Sequence, residues 1–178
     1  MPALSCCNVI RAILERNNSA VAMSLLGVPP TLLDTQILPA VVASMSAHIT
    51  DVEEQRTAVA LLQAFFSKGT TTPLTKNHVP PAELAQKFMT QRPEALRTSI
   101  WEAVITAMHL YGHDASIQLE GTQLLGMLSP VMPESRRLEA RIACKHAWHF
   151  FEARKDRPKV KIVVDAMAVT KTGACAVQ

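Results

Sequence analysis

Apolar residues along this chain recur at helical spacing rather than in strand-like alternation. Over 30–48, Ile37, Val41, Val42 and Met45 fall at i, i+4, i+5 and i+8, a single stripe of a 3.6-residue period. Over 52–67, Ala58, Leu61, Leu62 and Phe65 fall at i, i+3, i+4 and i+7 and form a second stripe. The polar stretch between them predicts a turn, with Thr50 or Asp51 as N-cap and a glutamate three residues on. Two amphipathic helices joined this way need each other's cover.

The same pair of stripes returns after a shift of 63 residues without a gap, where "PTLLDTQILPAVVASMSAHITDVEEQRTAVALLQAF" falls on "PEALRTSIWEAVITAMHLYGHDASIQLEGTQLLGML". Met45 meets Met108, Asp51 meets Asp114, Gln55 meets Gln118, and Leu61 and Leu62 meet Leu124 and Leu125. Pro30 and Pro93 occupy first-turn positions, where a missing N–H costs nothing. Pro39 falls inside the first stripe and predicts a kink or a split there. Helices are predicted over 30–48, 52–67, 81–91, 94–111, 116–129 and 135–155. "VVDAM" at 163–167 then repeats "VVASM" at 41–45 and "VITAM" at 104–108, so the chain reads as entering a third unit by its first helix. The resulting organisation is a single helical-repeat domain over 1–178. It comprises a degenerate half repeat (1–28), two units (29–91 and 92–155) and an incomplete third that serves as a carboxyl-terminal attachment segment (156–178).

The run "AVITAMHLYGHDASIQLEGTQLLGMLS" resembles the armadillo and HEAT class of α-helical repeats, in its helix ending on Ala-Met, its His and Asp in the turn, and its later Gln, Gly and paired leucines. The resemblance covers 30–130 and part of 158–178. It implies an all-α fold, a short α-solenoid, and a non-enzymatic scaffold or assembly subunit that holds other protein chains on exposed helix surfaces. The offset of 63 exceeds the ~40–47 residues usual for the class, which points to an extra helix in each unit.

Composition agrees with helices. Aromatic residues make up 4% of the chain and glycines number six, too few for an all-β chain rich in turns. A net charge of +3 selects no partner class. The four cysteines, Cys6, Cys7, Cys144 and Cys175, lack the spacing of a disulfide framework or zinc site and read as reduced thiols of a cytoplasmic protein. Arg11 and Arg16 leave a mitochondrial-targeting reading of the amino end open.

The candidate chemistry is sparse. Cys144, His146 and His149 form Cys-x-His-x-x-His, but at ~100° per residue the cysteine points away from both histidines, which makes it a core residue and leaves metal binding unsupported. His109, His113 and Asp114 cluster at a helix end, without a nucleophile motif beside them. No catalytic residue, metal or cofactor is therefore expected. The basic segment carrying Arg154, Lys155, Arg157, Lys159 and Lys161 with Trp148, Phe150 and Phe151 offers an RNA-binding alternative, set against the interspersed Glu139, Glu152 and Asp156. An unfinished third unit would expose Ile162, Val163, Val164 and Met167 as an apolar edge for a partner. The final Cys-Ala-Val-Gln also satisfies the C-a-a-X rule. Read that way, Cys175 is a prenylation site and the chain a peripheral membrane adaptor.

Overall fold

The computed structural model describes residues 36–68, 89–90 and 92–172, and these contain helices and no strands. The helices are α1 (Leu38–Ala47), α2 (Val52–Lys68), α3 (Glu94–Leu110), α4 (Ala115–Leu128), α5 (Glu134–Ala153) and α6 (Arg157–Thr172), with a 3-10 turn at Ser129–Val131 between α4 and α5. The half repeat at 1–28 and the carboxyl-terminal Cys175 lie outside the described residues. Of the helix expected over 81–91, residues 89 and 90 are described as helical, with Met89 buried. Pro39 lies in the first turn of α1, where no N–H is required, and residues 30–35 of the helix expected over 30–48 lie outside the described residues.

The turns are where the 63-residue repeat becomes physical. In the first, Gln55 Nε2 donates to the carbonyls of Met45 (2.7 Å) and His48 (3.1 Å). In the second, Gln118 Nε2 donates to Met108 (2.7 Å) and Tyr111 (3.2 Å), the same bonds one repeat later. Asp51 Oδ1 accepts from the Glu53 and Glu54 N–H groups, and Asp114 Oδ1 accepts from that of Ile117, so each second helix is capped by the equivalent aspartate. One pair of positions has been exchanged between copies. Ser44 donates to Glu54 at 2.5 Å, both buried, where the second copy has buried Ala107 and Ile117.

The third turn closes differently. Its position equivalent to the two glutamines is Val160. The Asp156 N–H instead reaches the Phe151 carbonyl and the Lys155 N–H that of Glu152, a Schellman closure with Lys155 in the left-handed region at φ 56°. Asp156 then caps α6 through the Lys159 N–H.

Helix contacts place α1 beside α2 and α3, α3 beside α4 and α5, and α6 beside α4 and α5. One succession of neighbours is thus α1–α3–α5 and the other α2–α4–α6. This departs from the reading of "VVDAM" as a first helix: α6 packs against α4 in the row of second helices, and α5 stands in the first row. The starts of the helices agree with that assignment. Prolines precede α3 (Pro93) and α5 (Pro133), whereas aspartates cap α2, α4 and α6. A core of Val41, Met45, Leu62, Ile100, Trp101, Val104, Ile117, Leu124, Leu125, Ala143, Phe151 and Val163 runs between the rows.

Candidate interaction surface

At the turn end of the stack, two contacts lock the first helix pair to the second. Arg56 of α2 reaches over to Asp114, its Nε 2.6 Å from Oδ2, and the Tyr111 hydroxyl donates to the Ile49 carbonyl at 2.8 Å. Burial acts to raise the Asp114 pKa, but the hydrogen bond and charge of Arg56, with the Ile117 N–H, outweigh it and hold the carboxyl below its ordinary value. Asp114 thus caps its own helix and anchors the neighbouring pair at once.

These contacts hold α1 and α3 side by side with an open groove of about 320 Å³ between them. Val42 and Met45 from α1 and Ala103 from α3 supply apolar walls, with Ile49 at the turn end. Ser46, Ser99 and Thr106 line it with hydroxyls, and Glu102 stands at its α3 side. Glu102 pairs with Arg136 of α5, which also bonds Glu139 at 2.7 Å. The groove was not anticipated from the sequence. Its signal is the small-residue series Ser99, Ala103 and Thr106 at i, i+4 and i+7 beside the apolar stripe, which leaves room where larger side chains would have closed the gap. Further along the same row, Leu138 (57%) and Ile142 (45%) lie exposed one turn apart on the outward face of α5.

The residues expected to form the carboxyl-terminal edge separate. Val163 is enclosed in the core at 0% exposure, Ile162 and Met167 are half-buried, and Val164 is exposed at 47%. The close approach of α6 to α4 causes this: a Cβ built on Gly126 would lie 2.9 Å from the Ala166 Cβ. Val163 is therefore unavailable to a partner in this fold, and only Val164 among the four stands clear.

Two of the five basic side chains in the basic segment are engaged within it. Arg154 lies over the Phe150 ring at 3.7 Å, Lys159 bonds Asp156 at 2.7 Å, and Phe151 is buried, while Lys155, Arg157 and Lys161 are exposed. Cys144 is buried beside Thr122. Burial pushes its thiol up to about 12, the hydroxyl opposing only in part. Among the described residues no three His, Cys, Asp or Glu side chains gather as a metal site, and no helix is long and apolar enough to cross a membrane. No protein family, curated protein or solved structure matches the chain.

Proposed function

We propose that this chain is a short armadillo/HEAT-like α-solenoid that works as a non-enzymatic scaffold or assembly subunit, holding another protein along the α1–α3–α5 row. The observation that carries this reading is the repeated turn. The same glutamine and aspartate bonds recur one unit apart and close the first two helix pairs alike, and α1, α3 and α5 follow one another as neighbours in one row. On that row the groove beside Val42, Met45 and Ala103 and the exposed Leu138–Ile142 pair supply apolar contacts with polar rims, the composition of a protein-binding patch.

Affinity purification followed by mass spectrometry tests it, with the wild type compared against Ala103→Glu and Leu138→Glu/Ile142→Glu. Leu138 and Ile142 are exposed and Ala103 is half-buried in the groove wall, so helicity by circular dichroism is compared for each variant and should stay intact while specific partners are lost. Partner recovery unchanged in both variants would sink the assignment of this face.

A further inference from the structure

Two histidine clusters that carry no chemistry within their own helices meet in the fold. The Cys-x-His-x-x-His segment of α5 is pulled apart by its helix: Cys144 enters the core, His149 packs edge-on against Trp148 with ring centres 4.7 Å apart, and His146 turns toward α3. There it faces His109, with ring centres 5.8 Å apart and planes tilted by 47°. Both histidines are exposed, and the helices that carry them are adjacent members of one row.

We infer that His109 and His146 form a two-histidine site for a borderline divalent cation, zinc foremost, clipping the second helix pair to the third. Zinc binds imidazole nitrogen at about 2.0–2.1 Å, which puts the metal about 3.2 Å from each ring centre and, for angles from tetrahedral to ~130°, the ring centres about 5.2–5.8 Å apart. The observed separation falls at the upper end of that range, so the rings need only swivel to present one nitrogen each. His109 sits in the last turn of α3, where the negative end of the helix dipole favours a cation. Imidazole is the ligand that zinc, copper and nickel accept and that magnesium and calcium pass over for oxygen.

The neighbouring charges are known. Glu102 and Glu139 lie two turns back along the same helix faces and are engaged by Arg136, while Lys145 adjoins His146. Cys144 is no ligand, because its thiol is enclosed and held protonated by burial. Since no third His, Cys, Asp or Glu of the described residues joins the pair, water fills the remaining coordination positions. Those positions stay open to a carboxylate or imidazole from a bound chain. The site itself does not depend on the scaffold reading.

Thermal unfolding of the full chain, followed by circular dichroism, with zinc chloride or magnesium chloride up to about 100 µM, tests the inference. Zinc should raise the melting temperature saturably and magnesium should not. The rise should vanish in His109→Ala and in His146→Ala, yet persist in His113→Ala and His149→Ala. The metal-free melts of the four variants confirm that each is folded. No rise with zinc, or a rise that survives either of the first two substitutions, overturns the site.

Discussion

Replacing Gln118 by methionine isolates the bond that defines the repeated turn. Methionine has a similar length, no branching and a comparable helix propensity, so packing and helix formation change little. What is lost is the amide donor. The Tyr111 carbonyl keeps a partner in the Asp114 N–H at 2.9 Å, so its loss costs about 0.5–1 kcal/mol. The Met108 carbonyl loses the 2.7 Å bond beside a fully buried side chain, which costs about 1–3 kcal/mol. Against this, Gln118 Oε1 is buried without a partner, and removing it recovers part of the loss. A net destabilisation of about 1–3 kcal/mol follows. Gln55→Met should cost about the same, because the first turn has the same bonds and its His48 carbonyl likewise keeps the Asp51 N–H. Urea unfolding at 222 nm reads both, with the denaturant slope expected to stay constant. If both variants shifted stability by less than about 0.5 kcal/mol, the turn glutamines would not be what fixes the helix pairs.

Four further outcomes follow from the packing and the charges. Gly126→Ala should destabilise by about 1 kcal/mol net, since the crowding of α4 against Ala166 exceeds the gain in helix propensity, and Ala166→Gly in the same chain should relieve it. Val163→Asp should cost at least about 4 kcal/mol by placing a charge in the core, while Val164→Asp one residue on should stay within about 0.5 kcal/mol; equal effects would contradict the placement of α6. Lys155→Gly should stabilise by about 0.5–1 kcal/mol, because glycine accepts the left-handed conformation of that turn freely; a destabilised variant would refute the Schellman closure. Asp114 has a lowered folded-state pKa, so its contribution is complete above the unfolded value of about 3.9 and is lost as pH falls through the lower folded value. Arg56→Met should therefore flatten the loss of stability as pH falls below the unfolded value of about 3.9, and an unchanged acid profile would rule out the Arg56–Asp114 lock.

Much of the architecture is legible in the sequence, and the physical basis differs from one feature to another. The stripe of Ile37, Val41 and Met45 specifies a helix because backbone geometry alone puts those positions on one face. Asp51 and Asp114 are identifiable as caps because their bonds close over three residues. The groove is harder to see, since it consists of space between two helices and neither helix contains it.

The placement of "VVDAM" shows where local pattern stops. An apolar stripe with Val, Val and Met suits any helix that buries one face, and both rows bury one. The likeness of 163–167 to 41–45 and 104–108 therefore says that α6 is buried on one side, and nothing about its neighbour. A better guide was present in the proline starts of α3 and α5 and the aspartate caps of α2, α4 and α6, because caps report the turn that made them.

By itself, then, the sequence determined the helices, their buried faces, their caps and the repeat that relates two of the turns. All of these rest on interactions that span ten residues or fewer. The tertiary structure decided that α5 follows α3, that α6 covers α4 and encloses Val163, and that His109 meets His146 across 37 residues of chain. Those outcomes depend on which surfaces fit when separate helices compete for the same cover, as the close contact of Gly126 with Ala166 does, and no spacing within a single helix encodes that choice.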